Sequence, residues 1–494
     1  MKRREFMRLA AGACLSSLSL PVLAAREKKR PNILFIAVDD LRPELNCYGR
    51  TQIISPHLDQ LAETGMIFTR AYCQQAVCSP SRTSLLTGLR PDSTQVYDLE
   101  THFRDTVPEV ITLPQQFKEN GYFVTGMGKI YHGHLNDAAS WSEPYLQVDG
   151  GQWYVEEDNL NYVRDLIDQR KKKGVKRPGQ RAYSYPYEAG DVPDEAYRDG
   201  AMTSLAEATL ERLARKDQPF FLGVGYIKPH LPFNCPKRFW DLYKREDISL
   251  ADNPFAPEGC PPLALHNSGE LRAYRDVPPG NEPIPDDLAK TLIHGYYACT
   301  SYTDHNIGRL LAKLDELKLA EDTIVIVWGD HGWHLGDHGL WCKHTNFESA
   351  TRVLMMIRVP GMKTAGTSCD ALTEFVDIYP TLCDLAGLPL PPHLEGTSYA
   401  PLVEDPKQPW KRASFSQYPR EGLRIMGYSM RAERYRYTEW IREGGKVEDI
   451  ELYDHEKDPQ ENTNLAVLPA HAERVKALGQ QLHEGWRAAR PGSD

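Results

Sequence analysis

Apolar residues run unbroken from Ile33 to Val38 and stop at the acid pair Asp39-Asp40; a second run, Thr323 to Trp328, stops at Gly329-Asp330-His331. Short continuous apolar runs of this kind predict strands buried on both faces, as in a parallel sheet. Helix-period patterns cover about 56–65, 112–120, 196–215, 288–318 and 373–386, and they alternate with further apolar runs at Phe220–Tyr226 and Leu354–Val359. That alternation predicts an α/β sandwich with a mainly parallel central sheet. In such sheets the site lies beyond the carboxyl ends of the strands, so Asp39, Asp40, Asp330 and His331 are expected in one crevice despite their distance in sequence.

Two segments lack a regular period: 140–195, rich in Tyr, Lys and Arg, and 250–287, rich in Pro and Gly. Long irregular stretches are expected as solvent loops or as walls of a site. After about residue 420 the pattern changes to strand-like segments, Ile425–Ile441 and Glu451–Asp454, followed by a helix over about 469–488. This predicts a small α+β C-terminal subdomain at 421–494 behind a catalytic domain at 25–420. No internal repeat and no transmembrane span is read.

A chain of 494 residues, 41% of them hydrophobic, can bury a large core, which excludes disorder as the bulk state. The start is different. Lys2, Arg3, Arg4 and Arg8 precede an apolar stretch from Leu9 to Leu23 and the small pair Ala24-Ala25, the layout of a removable signal peptide over 1–24. Arg3-Arg4 followed by Phe6 resembles a twin-arginine export signal, with ordinary Sec export as the alternative; either gives a periplasmic or otherwise exported bacterial protein. Cys14 offers lipidation as a less favoured reading, because the apolar region continues past it. Removing this segment takes away four cations and one anion, so the mature chain is more negative than the whole chain's −10. Nucleic acid is an unexpected partner for such a chain. An anionic substrate would need a locally positive pocket instead. Apart from Cys14 and Cys78, eight cysteines are scattered without a CxxC metal pattern; most are expected as buried thiols, with one or two disulfides open.

Adjacent acids at a strand end repel each other unless a cation or several donors compensate them, or unless they merely cap a turn. Asp39 and Asp40 combined with Asp330 and His331 form an oxygen-rich set suited to one hard divalent ion, and calcium fits that set best. The imidazole keeps magnesium and zinc open.

Cys78-Ser79-Pro80-Ser81-Arg82, continuing to Gly88, reads on residue type alone as a helix start, and a helix N-terminus seats an anion well. The same residues match the signature of type I sulfatases. That resemblance implies that Cys78 is oxidised to formylglycine by a separate maturation enzyme and lies beside the metal. Further elements resemble that family in order along the chain: Gly128-Lys129 with His132, Lys228-Pro229-His230-Leu231-Pro232-Phe233, and Trp341-Cys342-Lys343-His344 running on to Glu348. Ser416-Gln417-Tyr418-Pro419-Arg420 and Ile425 to Arg431 resemble the iduronate-2-sulfatase branch, as does histidine at 331, where many sulfatases carry an amide.

The resemblance implies an alkaline-phosphatase-like sandwich and hydrolysis of a sulfate ester. A hydrated aldehyde offers two hydroxyls on one carbon, one to attack sulfur and one to expel sulfate later. In that scheme the metal, Lys129 and Lys343 neutralise sulfuryl oxygens, and His230 protonates the departing sugar oxygen. His132 deprotonates the second hydroxyl. Arg82 holds the diol and the carboxylates, since its fork suits oxyanions. Lys129, His230, Lys343 and His344 are the expected substrate contacts, with Lys343 and His344 facing the sulfate and a sugar carboxylate respectively or in reverse. The expected substrate is a sulfated carbohydrate attacked at a terminal uronic acid 2-O-sulfate. A sulfatase acting on another sulfated polysaccharide, a phosphoesterase of the same fold and an unmatured carbohydrate-binding pseudoenzyme are the alternatives, and the oligomeric state is open.

Overall fold

In the computed structural model, Asn32–Val38 (β1) is wholly buried, and its side chains divide between two cores by the period-two rule of a strand. Leu34, Ile36 and Val38 point into one core; Ile33, Phe35 and Ala37 point into the other. The model describes residues 30–179 and 181–492, so the expected signal segment and Cys14 lie outside the described residues.

β1 is an inner strand of a seven-stranded sheet. The other strands are Met66–Phe68 (β2), Phe123–Gly128 (β3), Phe220–Tyr226 (β4), Thr323–Gly329 (β5), Met355–Arg358 (β6) and Thr367–Cys369 (β7), in spatial order β7-β2-β6-β5-β1-β4-β3. The block β3-β4-β1-β5 is parallel throughout. β6, the expected run at 354–359, is antiparallel to both β5 and β2, so the sheet is mainly rather than wholly parallel. Helices cover both faces, as parallel sheets require. Pro56–Thr64 (α1), Arg198–Leu213 and Asp286–Glu316 pack on the first core; Cys78–Thr87 (α2), Leu113–Glu119 and Ile378–Leu385 pack on the second. Each fully buried Leu, Ile or Phe in these layers contributes about 1.5–3 kcal/mol relative to exposure.

Segment 140–195 departs from its irregular reading: it contains a sixteen-residue helix, Glu157–Lys172, and a short strand, Tyr187–Gly190. Segment 250–287 holds only single 3-10 turns before the long helix begins. The C-terminal part is a four-stranded antiparallel sheet, Ala413–Arg420 (β8), Ile425–Ala432 (β9), Tyr435–Arg442 (β10) and Lys446–Asp454 (β11), covered by the helix Ala472–Ala488. Its first strand therefore starts ahead of residue 421. The nine described cysteines are all free. Among the described residues, no helix is long and apolar enough to cross a membrane.

Candidate active site

Val38 and Gly329 are register partners on adjacent parallel strands, so the residues that follow them leave the sheet side by side. The Asp330 N–H donates to the Val38 carbonyl at 3.1 Å, and the Asp40 N–H donates to Asp330 Oδ1 at 3.0 Å. Asp40 adopts φ 59°, a conformation costly for a residue with a side chain and concentrated at functional sites. Asp39, Asp40, Asp330 and His331 are all fully buried.

The third component is the start of α2. Val77 is extended and Cys78 is the first helical residue, which aims the helix N-terminus at the two strand ends. Cys78 Sγ lies 3.3 Å from Asp39 Oδ1 and 3.4 Å from His331 Nε2. Burial, and then Asp39, push this thiol well above its ordinary pKa. The unmodified cysteine is therefore a poor nucleophile here, since the thiolate is the reactive form. One turn on, Arg82 donates from Nε to Asp330 at 2.8 Å and from Nη2 to Asp39 at 3.2 Å, with its plane 5.5 Å from the Trp328 ring.

Lys129 enters from the end of β3. Gly128 has φ 72°, and a side chain there or at Gly225 would collide with the neighbouring backbone, so two glycines let the strand ends close up. The Lys129 N–H donates to Gly225 at 2.7 Å, and its ammonium reaches Asp39 and lies 3.5 Å from Cys78 Sγ. Burial works most strongly against the Lys129 charge, but Asp39 together with Cys78 and Asp330 outweighs it and raises the pKa. His132 is the converse. Burial, reinforced by Lys129, pushes it down to about 3, and its Nδ1 is buried without a partner.

His230 donates Nδ1–H to the Leu231 carbonyl at 2.6 Å, which leaves Nε2 facing Asp39 and Asp40 at 3.9 and 3.8 Å. Burial opposes its charge, yet Asp40 and neighbouring acids raise its pKa. Lys343 bonds both oxygens of Asp40 at 3.1 Å and stands 4.8 Å from the Trp333 ring. Cys342 and His344, on either side of it, both have φ 73°. That backbone turns Lys343 inward and leaves His344 at the rim.

The structure thus brings all the predicted site residues to one crevice, with one difference in detail. Lys343 and His344 both approach Glu270, at 2.9 and 4.0 Å, a contact not expected from the sequence, and Lys343 also bonds Asp40. Glu270 also contacts His230 Nε2 at 3.0 Å, and Lys343 and His230 hold it well below the usual carboxylate range against its burial. Sequence reasoning missed it because it stands in the Pro- and Gly-rich segment, outside every recognised element.

A divalent cation fits the residues present. The Gly332 carbonyl, 2.9 Å from His331 Nδ1, can only accept, so Nδ1 carries the proton. In neutral His331 the lone pair of Nε2 then faces Asp40 Oδ1 at 3.3 Å, Asp330 Oδ1 at 3.5 Å and Cys78 Sγ. Donor atoms of Asp39, Cys78, Asp330 and His331 all lie within 4.8 Å of one another. Burial, together with Asp39, raises the Asp40 pKa despite His230 and Lys343. Acceptors crowded around one point, with too few protons between them, are what a bound cation relieves.

Comparison with known proteins agrees with this geometry. A family model described as sulfatase matches residues 31–388, and one described as the C-terminal region of N-sulphoglucosamine sulphohydrolase matches 336–488. Iduronate 2-sulfatase from Homo sapiens is 36% identical over 88% of this chain and 90% of its own length; the Mus musculus protein of the same name is 35% identical over the same shares. Among solved structures, a 2-O GAG sulfatase aligns with TM-score 0.70 at 23% identity, covering 92% of each chain. A phosphonate monoester hydrolase from Agrobacterium radiobacter aligns with TM-score 0.72 at 24% identity, covering 93% of this chain and 96% of its own. The fold alone therefore does not choose between sulfate and phosphonate esters.

Proposed function

The chain belongs to the sulfatase family and is a sulfuric ester hydrolase, and on that premise we propose that it removes the 2-O-sulfate from a terminal uronic acid of a glycosaminoglycan-type oligosaccharide. The observation that carries the reading is the ring of cations, Lys129, His230 and Lys343, around Cys78 at a helix N-terminus. The identity with proteins named iduronate 2-sulfatase supports the choice of sugar and position.

Asp39, Asp40, Asp330 and His331 would hold one calcium ion beside residue 78, where it would draw negative charge from the sulfuryl oxygens. A maturation enzyme would convert Cys78 to formylglycine, whose hydrate supplies the nucleophilic hydroxyl and a route to release sulfate. Lys129 and Lys343 bind the sulfuryl oxygens, trading part of their contact with Asp39 and Asp40 for the substrate anion. His230, whose charged form the acids around it favour, donates its Nε2 proton to the departing sugar oxygen. His132, neutral because it is buried beside Lys129, accepts a proton in the later release step. Arg82 fixes Asp39 and Asp330. Export to the periplasm completes the proposal and rests on the pattern of residues 1–24.

A panel of defined oligosaccharides, sulfated at different positions and presented at chain ends or internally, tests the specificity. Release is expected from the terminal 2-O-sulfated uronic acid. Release from internal residues, or only from neutral sugars, would overturn it.

A further inference from the structure

Arg420 closes the Ser416-Gln417-Tyr418-Pro419-Arg420 element, and none of the roles above uses it. It is half-buried at the end of β8, and its guanidinium makes only carbonyl contacts: Nε to Leu263 at 2.8 Å, Nη2 to His344 at 2.9 Å and Nη1 to Pro419 at 3.2 Å. It also lies over the rings of Tyr418 and Trp440, at 4.7 and 5.3 Å. The buried arginines Arg82, Arg90 and Arg436 each pair with carboxylates. Arg420 has no carboxylate within ion-pair distance among the described residues. A guanidinium removed from water without a counter-charge is costly, and three carbonyls use three of its five N–H groups.

Its position connects this unpaired charge to the crevice. The His344 carbonyl that it grips belongs to the residue next to Lys343, and the His344 ring stands 5.9 Å from Tyr418 and 5.6 Å from His266. His266 Nδ1 accepts the Ser268 N–H at 2.9 Å, so its Nε2 bears the proton when the ring is neutral; that nitrogen is buried without a partner. Two sources of unspent N–H thus lie along the wall that runs outward from Lys343. Glu270 occupies the space beside His344 and would repel a second carboxylate brought there.

We propose that Arg420, assisted by the Nε2–H of His266, anchors the carboxylate of the sulfated sugar and so makes the site prefer a uronic acid over a neutral sugar. This rests on the uronate reading given above. A planar fork with spare donors binds a carboxylate in fixed orientation, which would set the ring with its sulfate toward Cys78.

The test compares a 2-O-sulfated uronate disaccharide with its carboxyl-reduced counterpart, measuring the ratio of their kcat/KM values on the same enzyme preparation. That ratio is independent of the fraction of enzyme that is folded. The wild type is expected to favour the uronate by about a hundredfold, the scale of losing one partner of a desolvated charge pair. In Arg420→Met the ratio should fall close to one, and in Arg420→Lys, which keeps the charge without the fork, to an intermediate value. A large wild-type ratio that survives unchanged in Arg420→Lys and Arg420→Met overturns the anchor and leaves the uronate reading standing. A wild-type ratio near one overturns the uronate reading and the anchor with it.

Discussion

Of the buried ionic clusters among the described residues, two compare directly, one structural and one at the site. One joins Glu374 and Asp377 to Arg90 and Lys411 at the junction with the C-terminal sheet. Arg90 grips both oxygens of Glu374 at 2.8 Å, and Lys411 bonds Glu374 at 2.7 Å and Asp377 at 2.6 and 2.8 Å. Backbone N–H groups of Phe415, Thr397 and Glu374 fill remaining acceptor sites, so two acids meet two bases and the set is closed on its acceptor side. The other cluster, at the ends of β1 and β5, crowds Asp39, Asp40 and Asp330 around His331 Nε2 and Cys78 Sγ, with Arg82, Lys129 and Lys343 as their cationic partners. Burial and charge density are alike in the two. What separates a staple from an active site is composition: a thiol and an imidazole stand among the carboxylates of the second, and Asp40 there holds a strained backbone, as polar groups do where function needs them.

The strongest way to break the comparison is at residue 78. Cys78→Ala should lose turnover altogether, because no diol can form, while its unfolding midpoint stays near the wild-type value. Mass spectrometry of the wild-type peptide should show a loss of about 18 Da for thiol-to-aldehyde conversion. Full activity in Cys78→Ala would remove the mechanism. Next in size is Lys411→Met in the closed cluster. Taking one partner from a buried ion network leaves uncompensated charge, and stability should fall by about 3–5 kcal/mol in urea unfolding. Turnover per folded molecule should stay within about twofold, since Lys411 touches no residue of the site. A large loss of kcat with little loss of stability would show that the clusters were assigned the wrong way round.

The open cluster was the more legible of the two. Apolar runs that end in Asp39-Asp40 and Asp330-His331 mark strand ends directly, and the parallel register of Val38 with Gly329 makes their convergence a matter of topology. The closed cluster had no such mark: Arg90, Glu374, Asp377 and Lys411 lie in short turns and strands whose meeting depends on tertiary packing. Glu270 escaped notice for the same reason. The helix Glu157–Lys172 was easy to overlook because its surface is mostly charged and its one buried residue is the polar Asn159, although Leu160, Val163 and Ile167 recur at helical spacing. Strand direction was also beyond periodicity, as the antiparallel pairing of Met355–Arg358 shows.

Metal binding sharpens the contrast further. Calcium at a hundred times its dissociation constant should stabilise the fold by about 2.7 kcal/mol, and a chelator should remove that gain along with turnover. Thermal melts with calcium and with chelator would measure it. Asp40→Asn should lose the calcium-dependent shift, whereas Lys411→Met should keep it, because the closed cluster already has its cations. An undiminished shift in Asp40→Asn would place the ion elsewhere.

The smallest effect separates roles within the open cluster. His230 carries its proton on the side away from the strand ends at Nδ1, held by Leu231, and offers Nε2 toward Asp40, Glu270 and the crevice. Acids on that side raise its pKa in spite of burial, which favours the charged form with a proton on Nε2. A proton at this position matters only if the leaving oxygen needs it. A sugar alkoxide is a poor leaving group and develops charge that must be quenched in the transition state; an activated aryl oxide departs with little help. His230→Ala should therefore lose more on a sugar sulfate than on an aryl sulfate, by a further factor of about ten to a hundred, the contribution of one positioned general acid. The ratio of kcat/KM losses for the two substrates reads this directly. Equal losses would mean that His230 acts by binding the sulfate or holding Glu270, and the proton would have to come from another group at the rim.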